Sequence, residues 1–246
     1  MKKEILIGPI LIGVVWLLLS SLKIIDTFFL PNPIRIAQKI IEIVSEGSIF
    51  SDLFPTVGRV FISFLIASII GLPLGLFLGY SKKIYSMFEF VIDFFRSTPA
   101  TALFPLFLLI FGITDISKIA VAAFSAMLII IFNTAYGVIH AKKSRILAAQ
   151  IMGATKTQIF RWILFWESLP QTFIGLRSAA SMSLMVIIVT EMFIGTTFGL
   201  GRKIIDAQIT YDIPLMYAVI ILSGILGYGL NLFFILIERK LLHWNK

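Results

Sequence analysis

The sequence of 246 residues contains no cysteine and few charged residues. The absence of cysteine excludes a disulfide framework and thiolate metal sites. Charged residues make up only 14% of the chain, whereas hydrophobic residues make up 59%. Few soluble folds could bury that much apolar surface, so the composition favours a protein that spans a membrane. The two histidines, His140 and His243, stand beside basic residues without other candidate ligands, so no metal site is predicted.

Apolar runs of about 18 or more residues with little charge are typical of transmembrane helices, and six such regions can be placed. They cover residues 5–22, 57–80, 97–114, 119–139, 178–195 and 213–237. Pro99 and Pro105 interrupt the third region. Small cleavage-site residues do not follow the first region, which is interpreted as a retained span and not as a signal peptide. We therefore predict an all-α membrane protein with six transmembrane helices, forming a single domain over residues 1–246.

Two regions carry further helical signals. Gly71, Gly75 and Gly79 recur at every fourth position of the second span, so one face permits the close approach of another helix. After the first span, Asn32 can cap a helix whose first residue is Pro33. Apolar residues then recur at helical spacing over three turns, which predicts an amphipathic helix. This helix either lies on the membrane surface or packs on neighbouring loops.

The distribution of basic residues predicts the orientation of the chain. With six spans, both ends lie on the same side of the membrane. If that side is the cytoplasm, fourteen basic residues lie inside: Lys2, Lys3, Lys82, Lys83, Arg96, Lys142, Lys143, Arg145, Lys156, Arg161, Arg177, Arg239, Lys240 and Lys246. Seven lie outside: Lys23, Arg35, Lys39, Arg59, Lys118, Arg202 and Lys203. The positive-inside rule favours this orientation. Because the positive charge is spread along one membrane face, no nucleic-acid partner is predicted.

The cytoplasmic loop at about 140–172 is the longest polar-containing segment between two predicted spans. Residues 144–152 have a helical pattern, and Gly153 follows at a position where the end of a helix favours glycine. Thr155 can then cap a second helix, with Gln158 completing a capping box. The spacing therefore predicts two short helices joined by a tight turn.

The second helix of the loop is predicted to run to about Trp166, and Pro170 is expected to end or kink the next segment. Two helices joined at Gly153 resemble a DNA-binding helix-turn-helix, but membrane spans at both ends and few polar side chains argue against it. Residues 153–157 lack the first glycine and the preceding strand of a phosphate-binding loop. The remaining interpretation is a docking element, in which a short helix joined rigidly to two spans carries the movement of a partner into the membrane.

The loop also carries a longer sequence pattern. Ala148, Ala149, Gly153 and Ile163 stand at the spacing A-A-x-x-x-G-x9-I. Further segments are Pro31-Asn32-Pro33, Gly71-x-Pro73-x-Gly75, Arg96-x-x-Pro99, Phe111-Gly112, Asn133-Thr134-x-x-Gly137, Gly175-x-Arg177, Glu191-Met192, Gly199-Leu200-Gly201, and Glu238-Arg239 with Trp244. In order and spacing they resemble the permease subunit of bacterial ABC importers of the nitrate, sulfonate and taurine type, over nearly the whole chain. That family has E-A-A-x-x-x-G-x9-I-x-L-P in the loop. Here Leu147 replaces the glutamate and Phe165-Trp166 replace Leu-Pro, with Leu169-Pro170 nearby.

The resemblance implies a type I importer (MetI-like) permease fold in the bacterial inner membrane, with both termini in the cytoplasm. The implied partners are a second copy of the permease in a homodimer, two ATP-binding subunits, an extracytoplasmic solute-binding protein and membrane lipid. ATP and Mg²⁺ would bind to the ATPase subunits, no cofactor would bind to this chain, and the chain would not be an enzyme. Residues 155–161 would form the coupling helix. The residues expected to couple to the ATPase are Ala148, Ala149, Gly153, Ala154, Thr155, Lys156, Gln158, Ile159, Phe160 and Ile163.

Three positions within the spans are candidates for the translocation path or its gate: Pro99, Asn133 and Glu191. Glu191 either faces the pore or holds the gate, or it reaches the membrane interface and bonds backbone amides near Gly195. Asn133 either lines the path or, as we favour, hydrogen-bonds a neighbouring helix. Pro99 and Pro105 either shape the pore through a broken helix or are tolerated kinks.

Two other classes of protein remain as alternatives. A stand-alone secondary transporter or channel usually has more charge within the membrane and internally repeated halves. A membrane-embedded enzyme needs a nucleophile with a base, or a metal cluster, at membrane depth, and Glu191 is the one plausible candidate. The sequence therefore favours the importer subunit. Relatives of this type are associated with nitrate, sulfonates, taurine, bicarbonate and pyrimidine vitamin precursors, so a small polar, often anionic solute is expected.

Overall fold

The computed structural model describes residues 7–193 and 195–242, and every regular element in these two ranges is a helix. The helices are α1 (Ile7–Ser21), α2 (Pro33–Ser45), α3 (Phe50–Tyr80), α4 (Lys82–Ser97), α5 (Ala100–Phe111), α6 (Asp115–Ile139), α7 (Lys143–Ile151), α8 (Lys156–Ile159), α9 (Phe165–Glu191), α10 (Leu200–Ile209) and α11 (Ile213–Leu241). A π-helical segment, Phe160–Leu164, joins α8 to α9. The predicted all-α fold is confirmed. Lys2, Lys3, His243, Trp244 and Lys246 lie outside the described residues.

Four helical units are long and apolar enough to cross a membrane: α3, α6, the unit Lys156–Glu191 and α11. The pair α4–α5 qualifies as a fifth when its two bent halves are taken together. α1 occupies the predicted first span and has 15 residues in the described part of the chain. A full crossing needs about 20 residues. The fourth and sixth predicted spans agree with α6 and α11, whereas α3 starts at Phe50 and not at residue 57, and the third predicted span contains only α5.

The fifth span begins earlier than the sequence predicts. Instead of a helix that ends near Trp166 and a break or kink at Pro170, one helix continues from Lys156 to Glu191. The predicted end near Trp166 is therefore wrong. In the π-helical segment the N–H of Phe165 donates to the carbonyl oxygen of Phe160, one residue further back than in an α-helix. Proline inside a span is tolerated where neighbouring groups satisfy the freed backbone, so Pro170 stays within the helix.

α6 lies at the centre of the fold, packed along α3 on one side and along α9 on the other. Gly75 of α3 faces Thr134, and a Cβ added to Gly75 would come within 2.7 Å of the Thr134 Cβ. A Cβ added to Gly137 of α6 would come within 2.9 Å of the Ser168 carbonyl oxygen in α9. Small residues at such contacts let helix backbones approach closely, which is how helices associate in lipid. The predicted role of the glycine stripe in the second span is confirmed.

The third predicted span contains α5, and α4 precedes it across a sharp bend. The axes of α4 and α5 differ by 95° across Thr98 and Pro99. A proline disfavours the helical conformation of the residue before it, and Thr98 is extended with φ −76° and ψ 126°. The break at Pro99 is confirmed, whereas Pro105 lies inside α5 and does not end it. Just before the bend, the Arg96 guanidinium lies 3.8 Å from the ring centre of Phe132, which ties α4 to α6.

The amphipathic helix α2 packs at the end of the bundle where α3 and α11 begin. Asn32 caps α2 by accepting a hydrogen bond from the N–H of Ile34 at 2.9 Å, as the sequence predicts. The buried residues Ile36 and Ile43 pack in one hydrophobic cluster with Leu200 of α10 and with residues of α11. The interpretation as a helix packed on its neighbours is confirmed, and contact with the membrane surface stays a prediction.

Replacing Gly75 with alanine is expected to destabilise the bundle. The new Cβ would lie too close to Thr134 and to the Ile131 carbonyl oxygen, 2.9 Å away, and overpacking of this kind costs about 1–3 kcal/mol. Gly58→Ala in the same helix is the control, because no heavy atom lies within 4 Å of its added Cβ. Both variants gain the same helix propensity, so their difference in thermal unfolding midpoint in detergent reports on packing. Equal midpoints would contradict the close contact of α3 with α6.

Candidate functional site

The predicted docking element consists of α7, α8 and the turn between them, here called the joint. α7 ends at Ile151, and Gly153 takes the left-handed conformation with φ +78°. The N–H groups of Gly153 and Ala154 donate to the carbonyl oxygens of Gln150 and Ala149, at 3.0 and 2.9 Å. These bonds satisfy carbonyl groups at the end of α7, as predicted for a glycine in this position.

A capping box starts helix α8. The Thr155 hydroxyl accepts a hydrogen bond from the N–H of Gln158 at 3.3 Å, and the Thr155 N–H donates to the Gln158 side-chain carbonyl at 2.7 Å. Both predicted halves of the capping box are therefore present. The helix that continues to Glu191 has a fixed starting point directly after the turn.

Apolar contacts fix the joint to the ends of the spans. Ile159 and Leu164 are buried in one cluster with Val138 of α6. Phe160 lies edge-on to Tyr80, the last residue of α3, with 5.7 Å between the ring centres. These contacts connect α8 and the π-helical segment after it to both α3 and α6.

An ion pair braces α7 against α9. Arg145 of α7 pairs with Glu167 of α9, and the N–H of Lys142 lies 3.5 Å from the same carboxylate. Arg145 is exposed to water, and surface pairs of this kind contribute at most about 1 kcal/mol. The main effect of this pair is on geometry, because it fixes the position of the start of α7 relative to α9.

The end of α7 is apolar and exposed. No residue of α7 is buried, and Leu147, Ile151 and Met152 expose 57%, 87% and 86% of their surface. These three residues are here called the apolar tip. Clustered apolar side chains at the surface are typical of a site that another molecule covers. Of the predicted coupling residues, Ala148, Gly153, Thr155, Lys156 and Gln158 are exposed, Ala149, Ala154, Phe160 and Ile163 are half-buried, and Ile159 is buried.

The opposite end of the bundle contains a buried ionic network around Glu191. Glu191 has 0% exposure, and its carboxylate lies 2.6 Å from Nη1 of Arg59 in α3. The carboxylate also accepts hydrogen bonds from the Thr56 hydroxyl at 2.9 Å and the N–H of Gly201 at 3.1 Å. A buried carboxylate requires such partners. Of the two interpretations from the sequence, a bond to a backbone amide is observed, although the amide belongs to Gly201 and not to the region of Gly195. A place of Glu191 at the pore, the gate or the membrane interface stays a prediction.

The network continues to Asp115 at the start of α6. Arg59 donates to Asp115 Oδ2 at 3.1 Å and to the Phe198 carbonyl oxygen at 2.8 Å. Lys118, with 1% exposure, donates to Asp115 Oδ1 at 3.0 Å and to the Gly195 carbonyl oxygen at 3.2 Å. Side chains of α3 and α6 therefore hold the backbone of the chain that follows α9.

Apart from Glu191, the members of this network are missed by the sequence analysis. Their signal is the spacing of Asp52, Thr56, Arg59 and Ser63, which places four polar side chains on one face of α3. The prediction that the second span begins at residue 57 hides this face, because it leaves Asp52 and Thr56 outside the helix. The observed start of α3 at Phe50 brings all four into one helix.

Asn133 lies at the contact of α6 with α9. Its side-chain oxygen accepts a hydrogen bond from Gln171 Nε2 at 2.9 Å, and its amide donates to the Ile129 carbonyl oxygen at 2.8 Å. This is the contact between neighbouring helices that the sequence favours. Pro99 is exposed at the bend between α4 and α5. A place of either residue on a translocation path stays a prediction.

The fold and the site together define a class of protein. Apolar helices form a membrane-spanning bundle, and an apolar tip projects from a joint that is tied to three of the spans. This organisation is that of a membrane-embedded transport subunit. The chain belongs to the family of binding-protein-dependent transport system inner membrane components, whose model matches residues 71–243. It is the membrane-spanning permease subunit of an ABC importer, in a family that works with ATPase and solute-binding partners.

Known proteins with similar sequences and structures support this assignment. The chain is 27% identical to SsuC of Bacillus subtilis, a putative aliphatic sulfonates transport permease protein, over 98% of this chain and 87% of the relative. It is 25% identical to the taurine transport system permease protein TauC of Escherichia coli (94% and 86% covered). It is 27% identical to the nitrate import permease protein NrtB of a Synechocystis strain (85% and 79% covered). A chain of the inward-facing MetNI methionine ABC transporter matches with a TM-score of 0.65 and 25% identity, over 76% of this chain and 93% of that chain. The family resemblance and the MetI-like fold are confirmed.

Thr155→Ala is expected to loosen the start of α8, because it removes the acceptor for the N–H of Gln158. Loss of a capping side chain costs about 1 kcal/mol, so the hydrogen-bonded amides of Gln158, Ile159 and Phe160 should exchange about fivefold faster with deuterium. Hydrogen exchange of the purified chain, followed by mass spectrometry, measures these rates. Thr155→Ser keeps the hydroxyl and should leave them unchanged. Equal exchange in both variants would show that the capping box does not stabilise the joint.

Proposed function

We propose that the joint is the surface through which an ATP-binding subunit drives this permease, with the apolar tip as the central contact. The observation that carries the proposal is the exposure of Ile151 and Met152 beside a turn fixed by Gly153 and the capping box. Apolar surface of this kind gains free energy when a partner removes it from water. Residues 155–161, implied by the resemblance as the coupling helix, continue directly into α9. We therefore assign docking to α7 and transmission of the movement to α8.

The charge around the joint supports an acidic partner surface. Five basic side chains belong to the joint or its flanks: Lys142, Lys143, Arg145, Lys156 and Arg161. No acidic residue occurs between residues 141 and 166. A cleft with an apolar floor and an acidic rim would complement this surface in both charge and hydrophobicity. The same positive charge favours a cytoplasmic location of the joint, with both termini on that side and the network around Glu191 outside.

The continuous helix from Lys156 to Glu191 supports a mechanical role for the joint. It has 36 residues, which corresponds to a length of about 54 Å. Closure of two ATPase subunits around ATP would move the joints of two permease copies together, and these helices would carry the movement across the membrane. ATP acts in this scheme by favouring one of two arrangements of the same bundle. Hydrolysis of ATP then restores the inward-facing arrangement.

We infer that the complete importer contains two copies of this chain, two ATPase subunits and one extracytoplasmic solute-binding protein. In the described ranges, every helix belongs to the bundle or lies against its ends, so binding of ATP and Mg²⁺ falls to a partner. This chain would bind no cofactor and catalyse no reaction. Residues 1–246 would then act as one transmembrane domain.

The solute that we propose is small and polar, and often anionic. The support comes from relatives that are named for aliphatic sulfonates, taurine and nitrate. Nitrate is an anion and the other solutes carry a sulfonate group. Calorimetric titration of the solute-binding protein that co-purifies with the permease, with each of these compounds, tests the class. Binding of none of them would contradict it.

A stand-alone secondary transporter or channel is a weaker candidate. Such proteins usually rely on charged groups within the membrane that bind ions or protons. Glu191 is the carboxylate that the sequence offers for this role, but it is already bound by Arg59, Thr56 and Gly201. Co-purification separates the two functions, because a self-sufficient carrier needs no ATPase.

Gly153→Val is expected to uncouple the importer without preventing its insertion. The φ of +78° at Gly153 excludes a β-branched residue. No heavy atom lies within 4 Å of an added Cβ, so the effect comes from the backbone alone. We expect solute-stimulated ATP hydrolysis of the reconstituted complex to fall about tenfold or more. Gly153→Asn is the control, because asparagine tolerates this conformation. Full activity of Gly153→Val would exclude a mechanical role for the turn.

Ile151→Ser tests the apolar tip itself. Ile151 is almost fully exposed, so the substitution should leave the unfolding midpoint of the isolated chain unchanged. Loss of its buried contact should weaken binding of the ATPase subunit by about tenfold, measured by titration in detergent. The exposed Ile209→Ser in α10, at the opposite end of the bundle, is the matched control. An unchanged affinity in Ile151→Ser would move the docking surface away from the tip.

A further inference from the structure

Side chains of other helices hold the chain between α9 and α10. We call residues 195–201 the connection. Two of its carbonyl oxygens accept hydrogen bonds from buried cations. Lys118 donates to the oxygen of Gly195 at 3.2 Å, and Arg59 donates to the oxygen of Phe198 at 2.8 Å. Both donors belong to helices that precede the connection by more than 70 residues in sequence. The connection therefore depends on α3 and α6 for its position.

The start of α10 is capped by oxygens of α3 and α9. Gly199 precedes this helix and has no side chain that could cap it. Three consecutive N–H groups instead donate to buried side chains: Gly199 to Asp52 at 3.1 Å, Leu200 to Thr56 at 2.9 Å and Gly201 to Glu191 at 3.1 Å. Free N–H groups at a helix start favour negatively charged partners. Two carboxylates supply that charge here.

The backbone approaches the Glu191 carboxylate so closely that two positions require glycine. A Cβ added to Gly199, whose φ is +155°, would come within 2.6 Å of Glu191 Oε2. A Cβ added to Gly201 would come within 2.8 Å of the Glu191 Cβ. The connection and the end of α9 are thus built as one unit around this side chain.

The charges of the network are balanced. The three carboxylates of Asp52, Asp115 and Glu191 are paired with the three cationic groups of Arg59, Lys118 and Lys203. A set of equal positive and negative charges has no net attraction for an ionic ligand. This balance favours a mechanical role for the network over a role in binding the solute.

Glu191 is also the last residue of the helix that begins at the joint. A tilt of this helix at the joint therefore displaces Glu191 at the other end of the bundle. The contacts of Glu191 would pass that displacement to α10 through Gly201 and to α3 through Thr56 and Arg59. No other side chain of α9 binds the connection among the hydrogen bonds of the described residues.

We propose that Glu191 is a positioning residue that fastens the connection to the outer end of α9, so that this end of the bundle opens and closes with the joint. The claim that the joint drives this movement rests on the proposed function. The claim that Glu191 fastens the connection to α9 does not. Without the carboxylate, the connection would lose its side-chain bond from α9, keep its bonds to α3 and α6, and no longer follow nucleotide binding at the ATPase.

The absence of cysteine allows a direct test by labelling. Thr196 is buried in the connection with 6% exposure, and Ser20 is buried in α1 with 3% exposure and lies outside the network. Thr196→Cys and Ser20→Cys each introduce one cysteine for labelling with a membrane-impermeant maleimide, in the complete complex in vesicles. Because a buried thiol reacts only when the structure around it opens, Glu191→Gln is expected to speed labelling of Thr196→Cys about tenfold without nucleotide, and to leave labelling of Ser20→Cys unchanged. In the parent with Glu191, ATP with vanadate should change the labelling rate at residue 196, and Glu191→Gln should abolish this change.

The possible outcomes separate fastening from general stability. Unchanged labelling at residue 196 in Glu191→Gln overturns the proposal. Faster labelling at both positions also overturns it, because Glu191 would then only stabilise the fold. Where Glu191→Gln fails to assemble, Thr56→Val removes the hydroxyl contacts and keeps the ion pair with Arg59. It should speed labelling at residue 196 about threefold, and no change would again overturn the proposal.

The same experiment distinguishes this proposal from the proposed function. The effect of Glu191→Gln on resting labelling needs no transport. One outcome is that the parent complex labels slowly and the variant labels fast, but nucleotide changes neither rate. This outcome would support the role of Glu191 in fastening the connection and contradict the proposal that the joint drives the movement. If nucleotide changes the rate equally in both, the joint drives the movement and Glu191 does not carry it.

Discussion

The close contact of α6 with both α3 and α9 is the constraint on which the rest of this structure depends. In lipid, helices gain little from the hydrophobic effect when they associate, so packing and hydrogen bonds decide their register. Gly75 and Gly137 let the backbones meet on both faces of α6. That register places Arg59 beside Glu191. A shift of one residue along either helix would turn its side chains by about 100° and separate this pair.

The two ends of the bundle differ in how their side chains are covered and paired. At one end, Asp52, Arg59, Lys118 and Glu191 are buried, and each finds its partners within the same chain. Forming such a buried pair costs desolvation, but removing one partner is strongly destabilising, so the network selects one arrangement of the helices. At the joint, apolar side chains such as Ile151 are exposed on the surface of the chain. One end therefore pairs its charges within a single chain, whereas the other leaves apolar surface uncovered.

The features that the sequence predicts correctly are those that depend on neighbours in sequence. The caps at Asn32 and Thr155 and the break at Pro99 involve residues at most four positions apart. The ion pair of Arg59 with Glu191 joins residues 132 positions apart, and spacing within one helix cannot supply the partner. Pro170 misleads for a related reason: its effect on the helix depends on the packing around it, and local propensity does not report that packing.

The helix that contains Pro170 can act as a lever only if it is stiff, and its backbone alone does not make it so. The π-helical segment and the proline both interrupt the regular ladder of hydrogen bonds. Leu164, Ser168 and Thr172 are nevertheless buried along this stretch, and Ser168 lies against Gly137 of α6. Packing therefore supplies the stiffness that the backbone lacks. α6 packs on α3 in the same way, so α9 is supported by a pair of helices that are themselves closely packed.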